Sequence, residues 1–313
     1  MLFSIPLVIV LRFIDYRFWL RVAPYLYGIS LILLISTLIL SPSIKGAKRW
    51  IYIGDFSFQP SELAKLALIL ELARFIGYKK SRWKEFFILI MSLGLTVIPS
   101  GLIAMQPDLG TGVVFIFIFV VIIFISGISL KYILGLAGLG IISIPIAWNF
   151  LLRDYQKERI LTFIDPSKDP LGAGYHIIQS KLAIGAGELF GYGFLNGPQN
   201  RLKFIPEQHT DFIFSLIGEE FGFIGALVVI ILFMVLFLTG LSIAFKSESI
   251  GGTIIGIGII SMLCIHVFVN IGMTVGLLPV TGISLPFISY GRSGLLTNMI
   301  AIGILSSLRR GEV

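Results

Sequence analysis

Eight stretches of this chain are apolar for long enough to cross a bilayer, and that repetition limits the fold more than any single motif. They lie near residues 22–41, 61–77, 86–104, 109–126, 131–152, 212–244, 252–278 and 285–308. A helix rises about 1.5 Å per residue against roughly 30 Å of hydrocarbon, so about 20 apolar residues suffice. In lipid the backbone must satisfy its own polar groups, which leaves helices or closed barrels, and runs of this length select helices. Composition agrees, with 56% hydrophobic residues, 13% charged and a mean hydropathy of +0.97, more apolar than a soluble core requires. The expected fold is an all-α polytopic membrane protein. The opening "MLFSIPLVIVLRF" offers about a dozen apolar residues before Arg12, roughly 18 Å of helix, too short to cross alone. It lacks the charged start and small-residue cleavage site of a secretory signal and is expected to be a retained, shortened ninth span.

Basic residues gather in "LRFIDYRFWLR" (Arg12, Arg17, Arg21), "YKKSRWKE" (Lys79, Lys80, Arg82, Lys84) and the terminal "LRRGEV" (Arg309, Arg310). Short cytoplasmic loops carry such an excess. Two spans separate the first cluster from the second and six separate the second from the C-terminus, so all three are expected on the cytoplasmic side. Parity then places 42–60, the turn around Gln106, the connection 153–211 and the turn around Pro279 on the outer face. The net charge of +7 could suggest nucleic acid, but in a membrane protein the side on which basic residues fall matters more than their sum, and no nucleic-acid partner is expected. Cys264 lies alone in an apolar run, which excludes an intramolecular disulfide. With no internal repeat or low-complexity linker, residues 1–313 are expected to form one membrane domain that includes the loop 153–211.

The unusual chemistry collects in the outer segments. "KGAKRWIYIGDFSFQPSELAK" holds Lys45, Lys48, Arg49 and Trp50 where short loops usually avoid basic residues. Either an anionic substrate or lipid headgroups, with Trp50 as interfacial anchor, would explain them. Pro60 suits a first helical turn, and Glu62 with Lys65 can pair at i,i+3. In "MQPDLGTG", Asp108 reads as an N-cap or as a chemical group. "LPVTGISLPFISYGRSG" breaks the outer turn of the last two spans, with Arg292 just inside the helix; irregular backbone at that depth requires a protein-lined cavity. The connection before residue 212 exceeds a routine linker, and its apolar patch Ile177 to Ile184 reads as a short interfacial helix.

The same loop ends in "PEQHTDFIFSLIGEEFG". Asp211 stands where the next span begins, either as an N-cap or as a carboxylate facing whatever the loop encloses. His209 reads as a loop hydrogen-bond partner, a metal ligand or a group tuning Asp211; no second histidine or cysteine stands nearby. Glu207 is open between the same alternatives. Glu219 and Glu220 fall about two turns into a span, where carboxylates need a partner such as Lys65 or a polar cavity. Glu71 and His266 read as packing and helix contacts.

The blocks "GAKRWIYIG", "FQPSELAKL", "QPDLGTG", "GYHIIQSKLAIGAG", "FIPEQHTDFIFSLIGEEFGFIG" and "NIGMTVGLLPVTGISLPFISYG" resemble, in order, the SEDS (shape, elongation, division and sporulation) family of membrane proteins, and its elongation branch more than the division or sporulation branches. The family usually has ten spans; this chain shows eight clear ones and a partial ninth, as if the first family helix were missing. The resemblance implies a peptidoglycan glycosyltransferase that polymerises lipid II on the outer face of the bacterial cytoplasmic membrane, releases undecaprenyl pyrophosphate, and works with a class B penicillin-binding protein. It makes Asp211 the essential carboxylate and Trp50 an important aromatic. From these motifs and the outer cations, the substrate-binding candidates are Lys45, Lys48, Arg49, Trp50, Gln106, Asp108, Gln179, Lys181, Glu207, His209 and Arg292, with Arg201 and Lys203 as further cations. Where this chain has Arg292 and Gly294, relatives commonly carry glycine and serine.

That reaction suits the residues. A sugar hydroxyl is a poor nucleophile, so a carboxylate taking its proton during attack contributes about 10²- to 10⁴-fold. Pyrophosphate leaves without the acid that an alcohol leaving group requires, and a divalent cation (Mg²⁺ or Mn²⁺) or Lys and Arg side chains can hold the departing charge. Two other classes stay open: a lipid II flippase, which should place useful charges near both faces, and a non-catalytic scaffold for a penicillin-binding protein.

Overall fold

The computed structural model describes residues 4–42, 49–54, 56–79, 83–169, 172–202 and 207–309. Its helices are α1 (Ser4–Arg12), α2 (Tyr16–Leu40), α3 (Pro60–Lys79), α4 (Glu85–Met105), α5 (Leu109–Ile125), α6 (Leu130–Ile146), α7 (Asp154–Ile164), α8 (Ala173–Ala186), α9 (Pro198–Leu202), α10 (Ile213–Phe245), α11 (Ile250–Thr274) and α12 (Arg292–Ser307). Each of the eight apolar runs overlaps a helix. Among the described residues, five helices are long and apolar enough to span: α2, α4, α6 with its π-helical continuation to Phe150, α10 and α11; α5 is a shorter apolar helix. This is a multi-pass membrane protein.

Sequence-local signals set the helix ends. Asp15 caps α2 by accepting from the Arg17 N–H at 2.8 Å. Pro60 opens α3, where Lys65 and Glu62 form the expected i,i+3 pair at 2.7 Å with Lys65 buried. The eighth run departs from expectation: the helix begins only at Arg292, not near 285, and α11 stops at Thr274, not 278. Pro279 and Pro286 lack a backbone N–H, and Gly282 (φ +77°) and Phe287 (φ +65°) are left-handed, so 275–291 cannot continue either helix. A two-stranded antiparallel hairpin, β1 (Ile51–Ile53) with β2 (Phe56–Phe58), pairs Ile51 with Phe58 and Ile53 with Phe56.

Chain contacts divide the protein into two compact units. The first holds residues 1–133, 237–265 and 291–313. At its centre α3 is buried from Ala64 to Ala73, with Phe115, Ile118, Phe119 and Ile122 of α5 also sealed from the surface. Apolar packing alone does not register helices in lipid, so side-chain hydrogen bonds between them help. Tyr27 Oη donates to the Leu95 carbonyl at 2.6 Å, and Gln106 Nε2 to the Leu34 carbonyl at 2.9 Å, tying α2 to α4 and its C-cap. Gly251 packs against Leu20 and the Ala73 carbonyl, Gly256 against Ala244 and Leu308, and Gly303 against Leu11. The starts of α2 and α11 therefore share one end with the finishes of α1, α3, α10 and α12. Arg12, Arg17, Arg21, Arg74, Lys79, Lys246 and Arg309 gather at that end, the grouping the basic clusters predict.

The second unit holds residues 134–236 and 266–290. It contains α7, α8, α9, the first two thirds of α10, the last turns of α11 and the non-helical segment 275–290. The short helix expected around Ile177 to Ile184 is present as α8, with Ile177, Ser180 and Ala183 buried.

Candidate functional site

In the second unit, α10 carries a break that shapes everything around it. Gly222 has φ +64° and ψ −162°, a conformation essentially confined to glycine. The break frees backbone groups, and the loop after α8 takes them up. Phe223 and Ile224 N–H donate to the carbonyls of Glu188 and Leu189 at 2.8 and 3.2 Å, while the carbonyls of Glu219 and Glu220 accept from Tyr192 and Gly193 at 3.1 and 2.9 Å. A Cβ on Gly191 would lie 2.2 Å from the Glu220 carbonyl oxygen, so the strands of chain meet backbone to backbone. Glu219 is fully buried just before the break, and its Oε1 accepts from the Gln199 N–H at 2.7 Å. That bond to the α9 backbone provides the partner its depth demands.

Asp211 sits at the other end of this first half-helix, two residues before α10, and is half-buried. It belongs to a tight turn in which the N–H groups of Thr210 and Asp211 both donate to the Glu207 carbonyl at 3.1 Å, with Glu207 at φ +54°. Three clamps hold the turn from the 266–290 side. Asn270 Nδ2 donates to the Asp211 carbonyl at 2.9 Å and to the Ile283 carbonyl at 2.8 Å. Ser289 Oγ donates to the Thr210 carbonyl at 2.6 Å, and Tyr290 N–H to the His209 carbonyl at 2.8 Å. Asn270 is completely buried. Gly282 lies beside the carboxylate, close enough that a Cβ there would stand 3.5 Å from Asp211 Oδ2.

The same segment receives Lys181. Its side chain lies across Gly276, where a Cβ would fall 2.0 Å from Lys181 Cε; Gly276 has φ +74°. Behind Lys181, Ser180 Oγ donates to the Thr274 carbonyl at 2.6 Å and stands 2.5 Å from Ser215 Oγ, fixing α8 to α10 and α11. His176 stacks near Phe212 at 6.0 Å between ring centroids. Segment 275–283 thus has Lys181 against its first turn and the Asp211 carboxylate against Gly282. A cation and a carboxylate along one irregular strand can engage an anionic, hydroxyl-bearing ligand.

The predicted residues fall into three groups. Asp211, Gln179, Lys181, Glu207 and His209 lie in the second unit. Gln179 is half-buried on α8, and Glu207 and His209 are exposed. His209 acts through its carbonyl and a 3.3 Å contact between its Nε2 and Gln208 Nε2; Glu207 Oε2 accepts from Thr210 Oγ1 at 3.3 Å. Arg201 is engaged in its own loop, with Leu195 and Asn196.

Arg49, Trp50, Gln106, Asp108 and Arg292 lie in the first unit. Asp108 is the N-cap of α5, accepting from the Thr111 N–H and hydroxyl at 3.1 and 2.9 Å. Its other neighbour is Arg49, whose Nε stands 3.4 Å from Asp108 Oδ2 without hydrogen-bond geometry, while Nη2 donates to the Pro107 carbonyl at 2.6 Å. Gln106 is buried, with its amide on Leu34 and Thr37. Trp50 is half-buried before β1, and Arg292 is exposed at the start of α12. Lys45, Lys48 and Lys203 lie outside the described residues.

Sequence reasoning missed Asn270, Ser289 and the Ser180–Ser215 pair. The available signal was an asparagine inside an otherwise apolar run, since such residues form interhelical hydrogen bonds. Among the described residues no group of three or more His, Cys, Asp or Glu side chains is arranged to hold a metal.

The family model for FtsW, RodA and SpoVE, described as cell cycle protein, matches residues 1–312. The chain belongs to this family, the SEDS family whose blocks are quoted above. It is 45% identical over 288 residues to peptidoglycan glycosyltransferase MrdB of Escherichia coli, covering 91% of this chain and 77% of that protein. It is 40% identical over 305 residues to stage V sporulation protein E of Bacillus subtilis, covering 95% and 81%. Among solved structures, a chain from a peptidoglycan synthase complex that coordinates polymerization and crosslinking superposes with a TM-score of 0.82 at 32% identity, covering 98% of this chain and 86% of that one. The crystal structure of the rod shape determining protein RodA of Thermus thermophilus gives 0.70 at 28% identity, covering 98% and 84%.

Proposed function

We propose that this protein is a peptidoglycan glycosyltransferase that polymerises lipid II on the outer face of the bacterial cytoplasmic membrane, with Asp211 as general base. The observation that carries the reading is the clamped turn at Asp211, whose carboxylate faces Gly282 beside the strand that Lys181 crosses. Relatives named peptidoglycan glycosyltransferase, at 45% identity, support the activity.

In the reaction, the 4-hydroxyl oxygen of one saccharide forms a bond to the anomeric carbon of another. The bond from that carbon to undecaprenyl pyrophosphate breaks, and the hydroxyl proton passes to Asp211. Proton removal accounts for about 10²- to 10⁴-fold. Lys181 answers the charge developing on the pyrophosphate. The three clamps from Asn270, Ser289 and Tyr290 hold the base in place, so little reorganisation accompanies attack.

A divalent cation, Mg²⁺ or Mn²⁺, suits this site as an ion carried mainly by the substrate's phosphates, because Mg²⁺ commonly takes only one or two protein carboxylates and keeps water. Asp211 and Glu207 are the carboxylates at hand. When bound, it would neutralise the leaving pyrophosphate. The basic end of the first unit is the cytoplasmic end by the positive-inside rule. The similarity to a chain from a complex coupling polymerization to crosslinking supports a class B penicillin-binding protein as partner.

The experiment that separates the classes uses the purified full chain, labelled lipid II and Mg²⁺ or Mn²⁺, with and without the partner. Glycan polymer should form. Lipid II translocation across vesicles without any polymer would replace the reading with a flippase, and neither activity would leave a scaffold.

A further inference from the structure

At the basic end of the first unit, a cavity of about 250 Å³ opens between α10 and the end of α12, lined by Thr239, Ser242, Ile243, Lys246 and Arg309. Thr239, Ser242 and Ile243 of α10 and Lys246 just after it follow helical spacing, with the Lys246 N–H still donating to the Ser242 carbonyl at 3.3 Å, so one face presents two hydroxyls and an ammonium toward a guanidinium. Close packing builds the walls. Gly240 lies against Ile260 and Leu305, and Gly256 against Ala244 and Leu308, which joins α10, α11 and α12 without room to slide. Among the described residues neither Lys246 nor Arg309 is held in an ion pair.

We infer that this cavity is a binding site for the phosphate of an anionic phospholipid. Two cations and two hydroxyls match a phosphodiester, which offers one negative charge and several acceptor oxygens. Basic pockets between transmembrane helices on the cytoplasmic side suit lipid headgroups of this kind. A path for the tails exists as well. Leu238, next to Thr239, and Phe245, next to Lys246, are 60% and 63% exposed, apolar surface on a spanning helix beside the cavity. The ordinary alternative is that Lys246 and Arg309 merely answer the carbonyl ends of two helices. That alternative accounts for neither the hydroxyls nor the cavity between the helices.

The test is lipid binding to the purified full chain, read by native mass spectrometry and by titration with phosphatidylglycerol against phosphatidylcholine. Phosphatidylglycerol should be retained preferentially, and Lys246→Gln with Arg309→Gln should weaken it about twenty-fivefold, from about fivefold per charge. Lys246→Arg, which keeps the charge, should retain binding and separates loss of the site from misfolding. Arg12→Gln with Arg17→Gln removes equal charge from the same end outside the cavity and should leave the bound lipid in place. Equal loss in both double variants would reduce the effect to a diffuse basic surface and overturn the assignment. Displacement by millimolar inorganic phosphate would overturn it too, by making the ligand a soluble anion.

Discussion

The Asn270 side-chain amide donates to the main-chain carbonyl of Asp211, and its second N–H to that of Ile283. One buried residue near the end of α11 therefore fixes both the turn that carries the proposed base and the strand that faces it. Asn270→Ala should lower the polymerisation rate by up to about 10²-fold, because a displaced base loses its alignment, while lipid II binding changes little. Steady-state polymer formation beside a lipid II binding assay checks this. An unchanged rate would remove Asn270 from the account.

The break in α10 gives a stability prediction. Gly222→Ala forces a side chain into a backbone conformation costing about 1–3 kcal/mol, and the new Cβ would fall 2.5 Å from the Gly191 nitrogen. Thermal unfolding in detergent should show a clear loss of stability, with the hydrogen bonds to Glu188 and Leu189 disturbed. Gly225→Ala lacks the positive φ and serves as a comparison that tests packing alone.

Lys181 and Gly276 should behave as one unit. Lys181→Ala removes the cation, and Gly276→Ala pushes its side chain off the strand, so each should lower kcat/KM for lipid II about tenfold, equivalent to roughly 1.4 kcal/mol. The double variant should be no worse than the more severe single one, since contacting residues are not additive. Independent, multiplying effects would show that Gly276 does not act through Lys181.

Much of the fold was legible because span length is written directly into apolar run length. Asp108 as a cap, the Glu62–Lys65 pair and α8 were equally local, each decided by residues three or four apart. Other features depended on distant partners. Gly222 reads as one glycine among many until the Glu188 and Leu189 carbonyls arrive to satisfy the opened helix. Run 285–308 reads as continuous because hydropathy ignores the missing N–H of Pro286 and the left-handed backbone of Phe287, and the helix starts at Arg292. The hairpin of Ile51–Ile53 and Phe56–Phe58 has a sequence signal in two mostly apolar triplets around a Gly-Asp pair, each shorter than an ordinary strand run. Asp211 was legible through its motif, but Asn270, which holds it, was not, because a single asparagine in a span declares no partner.

In the first unit, Arg49 bridges the segment before β1 to the start of α5. Arg49→Lys keeps the charge but cannot reach both the Pro107 carbonyl and Asp108 with a planar fork. A loss of about 1–2 kcal/mol is expected from the broken charged hydrogen bond, measurable as a lower unfolding temperature. Asp108→Ala should cost a similar amount through the lost α5 cap, about 0.5–2 kcal/mol.

The most direct measurement compares wild type with Asp211→Asn for both labelled lipid II binding and glycan chain formation, with the partner present. The substituted amide keeps the size of the side chain and cannot accept the hydroxyl proton as a base. Binding should persist while chain formation drops by about 10²-fold or more; glycan made at the wild-type rate would contradict the assignment of Asp211 as the base.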